Sequence, residues 1–149
     1  MMERRAIFGH ILVPTDGSQP SIAAGQLAIQ LAASLGAQIT FVYVVDTAVV
    51  DELTETSGKL VQQVRQELER TGQRYLDHLS RLAVNAGLQV NRLIRRGTAY
   101  GEIESLAREQ GVDLIVIGQV GHRGPRRILI GSVTERVIEY APCPVLVVK

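Results

Sequence analysis

The sequence is poor in cysteine and in aromatic residues, and each shortage excludes a class of protein. Cys143 is the only cysteine among 149 residues, so no disulfide can form within the chain. It stands between two prolines, and we interpret it as a small buried apolar side chain rather than a reactive thiol. Tryptophan is absent and aromatic residues make up 4% of the chain, so an aliphatic core is predicted.

The chain also lacks a strong charge of one sign and a long hydrophobic run. Its formal net charge is +1, which gives no reason to expect a nucleic acid or an acidic membrane as a partner. No run approaches the roughly 20 apolar residues of a membrane-spanning helix. The arginines near the start are not followed by the apolar stretch of a secretory signal. We therefore expect a soluble, cytoplasmic protein.

Two familiar nucleotide-binding motifs are missing as well. The sequence contains no G-x4-G-K-[ST], which excludes a P-loop. It contains no G-x-G-x-x-G after its first apolar run, which argues against a dinucleotide site. Any nucleotide site in this chain must therefore be built in another way.

What the sequence does contain is an alternation of short apolar runs with longer amphipathic stretches. The apolar runs predict strands at residues 11–13, 39–45, 88–94, 114–117 and 145–148. The amphipathic stretches predict helices at residues 18–36, 60–87, 99–110 and 132–140. This β-α-β-α-β-α-β-α-β order predicts a parallel α/β sheet with right-handed crossovers and helices on both faces. No linker divides the chain, so residues 1–149 are predicted to form a single domain.

Three local features refine this prediction. Residues 46–58 are polar and irregular, which is typical of a flexible loop or a frayed helix start. Gly72 lies inside the longest predicted helix and is expected to loosen it. The third strand ends in Arg95 and Arg96, as is typical of a sheet edge that is protected by charge.

A glycine pattern after the fourth strand gives the strongest indication of function. Gly118 and Gly121 are two residues apart, and nine further residues lead to Gly131 and Ser132, at a predicted helix start. Glycines let backbone amides approach a ligand, and amides at a helix N-terminus favour anions. The hydroxyls of Ser132 and Thr134 add donors. Positive charge is concentrated in the same stretch, at His122, Arg123, Arg126 and Arg127.

This pattern predicts a polyphosphate site; the alternative is a loop whose glycines merely turn the chain. In open parallel sheets, ligands bind outside the carboxyl ends of the strands, where the strand order reverses. The turn Pro14-Thr15-Asp16 after the first strand is a second segment at such an end. Asp16 is predicted to contact the ligand, although it could also serve as a turn residue or helix cap.

The G-x2-G-x9-G-[ST] motif resembles the nucleotide signature of ATP-binding universal stress proteins. Residues 11–18 are similar to the opening strand and turn of that family, residues 42–46 to its second strand, and residues 131–134 and 144–148 to its ending. The resemblance covers nearly the whole chain. It implies a Rossmann-like (adenine nucleotide alpha hydrolase-like) fold, a three-layer α/β/α sandwich with a five-stranded parallel sheet in the order 3-2-1-4-5.

The resemblance implies roles for individual residues at the nucleoside end of the ligand. Pro14, Thr15 and Asp16 would hold the nucleoside, with the Asp16 carboxylate accepting hydrogen bonds from the ribose. Val44 would present its backbone to the adenine edge.

At the other end of the ligand, the resemblance implies a backbone cradle. Gly118 and Gly121 would wrap around the ribose and the phosphates. The phosphates would lie at the helix N-terminus formed by Gly131, Ser132, Val133 and Thr134. Mg²⁺ or Mn²⁺ would accompany the triphosphate and be held largely by its oxygens. No catalytic residue and no metal-binding side chain is predicted.

The leading hypothesis is an ATP-binding sensor or regulator in stress response, with ADP or AMP as alternative ligands. A slow ATPase or phosphotransferase that uses Asp16 or His122 is one alternative, and a nucleotide-free dimeric interaction module is another. A homodimer through the apolar edge strand Val145–Val148 is expected, together with a regulatory protein partner that the sequence does not identify.

Overall fold

The computed structural model describes residues 7–120 and 130–149. In these two ranges, five parallel strands form one sheet in the order β3-β2-β1-β4-β5. The predicted α/β fold and strand order are thereby confirmed. The strands are β1 (His10–Pro14), β2 (Gln38–Asp46), β3 (Val90–Gly97), β4 (Leu114–Gly118) and β5 (Val145–Val148).

Helices connect each strand to the next. They are α1 (Gln19–Leu35), α2 (Thr47–Ser57), α3 (Val61–Asn85), α4 (Ala99–Glu109) and α5 (Ser132–Tyr140). Helix α1 begins as predicted, because the Ser18 hydroxyl accepts a hydrogen bond from the amide of Ser21. It ends at Gly36, which has a left-handed conformation with φ 68°. None of the helices in the described ranges is long and apolar enough to cross a membrane.

The helices form a layer on each face of the sheet, because successive side chains of a strand point to opposite faces. On one face, Ile11 and Phe41 lie in the core cluster that includes residues of α1 and α3. On the other face, Leu12, Val42 and Ile115 lie in the cluster that includes residues of α4 and α5. All five side chains are fully buried. The central strands therefore read as continuous apolar runs, as in other parallel sheets covered on both faces.

Of the two alternatives for residues 46–58, the flexible loop was wrong, because Thr47–Ser57 forms helix α2. The Asp46 carboxylate accepts a hydrogen bond of 2.9 Å from the Ala48 amide and caps the helix start. Gly58, with φ 68°, ends the helix. Val50 is 2% exposed and anchors the helix to the core.

The predictions for the arginines at the end of β3 and for Gly72 had different outcomes. Strand β3 does lie at an edge of the sheet, and within it Arg95 forms an ion pair of 2.6 Å with Glu109 while Arg96 pairs with Glu69. Gly72, however, does not interrupt helix α3, which runs continuously past it. A Cβ atom at Gly72 would lie 2.3 Å from Cδ1 of Tyr43. The glycine therefore makes room for the tyrosine ring.

Candidate functional site

A cavity of about 310 Å³ opens at the carboxyl ends of β1, β2 and β4. The chain passes from β1 to β2 on one side and later places β4 on the other, so this is the point where the strand order reverses. Gly121, His122 and the three arginines of the glycine-rich stretch lie outside the described residues. The other predicted contact residues all line the cavity: Pro14, Thr15, Asp16, Val44, Gly118, Gly131, Ser132, Val133 and Thr134.

The turn between β1 and α1 holds the Asp16 carboxylate at the cavity wall. The amide of Thr15 donates a hydrogen bond of 2.9 Å to the carbonyl of Val42. The amide of Ser18 then donates to Oδ1 of Asp16 at 3.0 Å. Asp16 therefore does serve as a turn residue, and the same bond fixes its carboxylate beside the cavity. A carboxylate has two oxygens with about four lone-pair sites, so it can accept several hydrogen bonds at once.

The backbone of Val44 faces the cavity because β1 ends before β2 does. The pairing of the two strands ends with Pro14 opposite Val42. The hydrogen bond from the Thr15 amide to the Val42 carbonyl is the last one between them. Alternate residues of a strand direct their N–H and C=O groups to the same edge. Val44 therefore directs both groups past the end of β1, where no bond between described residues continues the ladder.

The first turn of α5 forms the opposite wall of the cavity. Its N-cap is Gly131, in an extended conformation that offers no side-chain cap. The amides of Ser132, Val133 and Thr134 stand in the first turn, where no carbonyl four residues earlier in the helix exists to accept from them. The amide of Gly131 itself donates to the carbonyl of Gln119 at 2.7 Å. The amides that remain directed outward give this wall a partial positive charge.

Two of the predicted contact residues also have a structural role. The Thr134 hydroxyl donates a 2.7 Å hydrogen bond to the carbonyl of Gly118, and Thr134 is 3% exposed. Because a hydroxyl has one proton, this bond engages the Thr134 hydroxyl as a donor and leaves the Thr134 amide as the group that could donate to a phosphate. At Gly118, a Cβ atom would lie 2.8 Å from the carbonyl carbon of Pro20 and 2.9 Å from the amide nitrogen of Ser21. This glycine therefore lets the end of β4 pack against the start of α1.

The sequence did not predict the wall of the cavity that faces α2 and α3. This wall is formed by Tyr43, Asp46, Val49, Leu68, Thr71 and Tyr75. Three of these side chains occur at positions 68, 71 and 75, a spacing that places them on one face of α3. That spacing could have indicated a common face of α3. It could not show that this face meets the end of β2, because nothing local in the sequence links the two elements.

Two tyrosines dominate this wall. The rings of Tyr43 and Tyr75 lie with centroids 6.1 Å apart and an interplanar angle of 56°. Tyr75 also covers the β1–α1 turn, since a Cβ atom at Gly17, where φ is 79°, would lie 2.1 Å from its ring. Burial, together with the smaller effects of the nearby Tyr75 and Asp16, raises the pKa of Tyr43 from 10.0 to about 12. The Tyr43 phenol is therefore protonated near neutral pH.

The described residues contain no group of three or more His, Cys, Asp or Glu side chains that could hold a metal ion. The polar groups that line the cavity include the carboxylates of Asp16 and Asp46, the phenols of Tyr43 and Tyr75, the backbone of Val44 and the amides at the start of α5. The amide donors lie on the wall formed by α5, and the Asp16 carboxylate lies on the wall formed by the β1–α1 turn.

Comparison with known proteins agrees with this architecture. The sequence model of the Universal stress protein family matches residues 8–149. Universal stress protein MJ0531 of Methanocaldococcus jannaschii is 38% identical over 144 residues, which is 96% of this chain and 83% of the relative.

Solved structures give the same result. The structure of MJ0577, a universal stress protein of Methanocaldococcus jannaschii, has a TM-score of 0.84 at 27% identity and 96% coverage of both chains. A universal stress protein in complex with cAMP has a TM-score of 0.67 at 25% identity, over 96% of this chain and 98% of that chain. The match along nearly the whole sequence and the shared sheet order confirm the family that the motif predicted: the chain belongs to the universal stress protein family.

Proposed function

We propose that the protein binds an adenine nucleotide, ATP foremost, in this cavity and acts as a nucleotide-dependent regulator in stress response. One observation carries the proposal. The first turn of α5, whose amides have no acceptor within the helix, lines the same cavity as the Asp16 carboxylate and the backbone of Val44, which no described residue of β1 pairs. Groups suited to an anion, to a ligand hydroxyl and to the edge of a base therefore line one space.

The three groups match the three parts of a nucleotide. Adenine would contact the N–H and C=O of Val44, and the ribose would donate to Asp16. The phosphates would accept from the amides of Ser132, Val133 and Thr134, with Gly118 and Gly121 alongside. Mg²⁺ or Mn²⁺ would be carried largely by the phosphate oxygens. The volume of about 310 Å³ lies within the range of small-molecule sites, and the structural relative in complex with cAMP supports the choice of ligand class.

Calorimetric titration of the purified protein with ATP and Mg²⁺ tests the proposal. We expect saturable binding with a dissociation constant below about 1 mM, because several amides and a carboxylate act together on one ligand. ADP and AMP should bind more weakly as phosphates are removed from the start of α5. An absence of binding at millimolar ATP would refute the proposal.

We also propose that β5 mediates a homodimer. This strand ends the sheet and pairs with β4 alone among the described strands. Its Leu146 is 37% exposed, and α5, which packs against β5, exposes Ile138 and Tyr140. An open apolar edge favours pairing with a second copy.

Replacing Leu146 by Lys should convert the dimer into a monomer, because a charge on an edge strand opposes pairing. Light scattering at micromolar concentration should then give a mass near the chain mass of 16.3 kDa. Leu53→Lys is the matched control, since Leu53 is 39% exposed but lies on α2. A wild-type protein that is already monomeric would count against the dimer, as would a Leu146→Lys variant that keeps the wild-type mass.

A further inference from the structure

The start of helix α2 forms part of the cavity wall. Asp46, whose carboxylate caps the helix, and Val49 in its first turn both line the cavity. Leu68 and Thr71 of α3 belong to the same wall. A movement of α2 away from α3 would therefore open the cavity on this side.

Helix α2 is weakly fixed to the rest of the protein. Of its eleven residues, Val50 alone is buried. Helix α4 also has eleven residues, but it buries Ile103, Leu106 and Ala107. Helices shorter than about 12–15 residues are marginal by themselves in water, so most of their stability comes from packing. Because α2 packs through a single buried side chain, it loses few buried contacts when it opens.

The sequence of α2 also gives the helix little intrinsic stability. Five of its eleven residues are valine or threonine, whose β-branched side chains lose freedom in a helix. The hydroxyl of Thr54 donates to the carbonyl of Val50 at 2.7 Å, and that of Thr56 donates to the carbonyl of Glu52 at 3.0 Å. Such bonds to the preceding turn slightly destabilise a helix. We therefore expect α2 to open locally at a lower free-energy cost than α4, while the sheet stays intact.

We propose that α2 is a lid whose closure depends on the nucleotide in the cavity. Without nucleotide, the helix opens locally and closes again. A bound nucleotide meets a complete wall only when Val49 is in place, so it binds the closed form more tightly and shifts the equilibrium towards it. The inference rests on the proposed nucleotide binding and adds a means of regulation to the same site. The outer face of α2, which includes the exposed Leu53, is then ordered when nucleotide is bound.

Hydrogen exchange of backbone amides, followed residue by residue by NMR, tests the lid. Without nucleotide, the amides of residues 51–57 should exchange about ten-fold or more faster than those of residues 103–109 in α4, after correction for intrinsic rates. ATP and Mg²⁺ are then added to about 100 times the dissociation constant. Exchange in α2 should slow about ten-fold or more, and the limit of about 100-fold applies if the open form does not bind ATP at all.

A matched pair of substitutions at Asp51 tests whether α2 opens by unfolding. Asp51 is exposed on α2 and does not line the cavity. Glycine is less favourable than alanine inside a helix by an amount that corresponds to about five-fold in an equilibrium constant. The α2 amides of Asp51→Gly should therefore exchange about five-fold faster than those of Asp51→Ala. The same pair at Ser105, which is exposed on α4, is the control and should leave exchange in α2 unchanged.

Three results would overturn the lid. The first is exchange in α2 that is as slow as in α4 without nucleotide, and the second is equal exchange in the two Asp51 variants. The third is exchange in α2 that does not change although calorimetry shows that ATP is bound, and this result leaves the proposed function intact. If calorimetry shows no binding of ATP, the proposed function fails and the nucleotide dependence of the lid fails with it.

Discussion

Replacing Gly131 by Asp is expected to abolish ATP binding without weakening the fold. Gly131 is the N-cap of α5 and has φ −68° and ψ 156°, which any residue can adopt. An aspartate there would accept hydrogen bonds from the first-turn amides and so occupy the groups proposed for the phosphates. It would also place a negative charge where the triphosphate charge must lie. The helix gains a cap at the same time as the ligand loses its site.

The expected effect on affinity is large. Two like charges about 4 Å apart repel by roughly 4 kcal/mol at an effective dielectric constant near 20, and a loss of about 2.7 kcal/mol already weakens binding 100-fold. We therefore expect at least a 100-fold rise in the ATP dissociation constant by calorimetry. Thermal unfolding should show unchanged or slightly higher stability, by about 0.5 kcal/mol, from the new cap and the helix dipole.

Two other substitutions at Gly131 separate the effect of the new cap from the effect of the new charge. Gly131→Asn also caps the helix but adds no charge, so its loss of affinity should be clearly smaller. Gly131→Ala adds neither a cap nor a charge and should retain most of the binding. If Gly131→Asp binds ATP as tightly as wild type while remaining folded, the phosphates do not lie at the start of α5.

Replacing Gly72 by Ala is expected to lower the free energy of unfolding by about 1 kcal/mol. The new Cβ would lie 2.3 Å from the ring of Tyr43, and the ring is buried between α3 and the sheet. Overpacking a filled core typically costs about 1–3 kcal/mol, which here exceeds the roughly 0.8–1.0 kcal/mol that alanine gains over glycine inside a helix. Urea unfolding measures the difference.

The same substitution at Gly101 is the control, and its effect should have the opposite sign. Gly101 lies in α4, and a Cβ atom there would have its nearest neighbour at 3.9 Å, in Thr98. Without a clash, helix propensity alone acts, and Gly101→Ala should stabilise the protein by about 0.5 kcal/mol. Equal effects of the two substitutions would show that Tyr43 does not need the space at Gly72.

The parts of the fold that could be predicted are those whose signal is local. Apolar runs located the central strands β1, β2 and β4, because buried parallel strands are apolar on both faces, and Gly36 marked the end of α1. The edge strand β3 was located from a run of mixed polarity that ends in arginines. The strand order followed from the family resemblance rather than from periodicity. Helix α2 was missed because its only buried residue is Val50 and its polar surface reads as loop. Its caps, Asp46 and Gly58, were present in the sequence but also suit a turn.

In the candidate site, too, residues that are close in sequence could be predicted and residues that only packing brings together could not. The glycine spacing and the helix start behind it are contiguous in sequence, so they identified Gly131 and the residues that follow it. The pairing of Tyr43 with Tyr75, by contrast, joins a strand to a helix across many residues, and only the packed structure brings them together. The engagement of the Thr134 hydroxyl by Gly118 is likewise a contact between distant elements, and no local pattern announces it.

The backbone of Val44 has a consequence for how this protein can vary. The proposed contact with the adenine edge uses the N–H and C=O groups of Val44 and not its side chain. Other strand-forming residues should therefore be able to replace the valine without changing that contact. An alanine scan would then score Val44 as tolerant even where its main chain contacts the proposed ligand. Asp16, which would act through its side-chain carboxylate, should be far more sensitive to substitution.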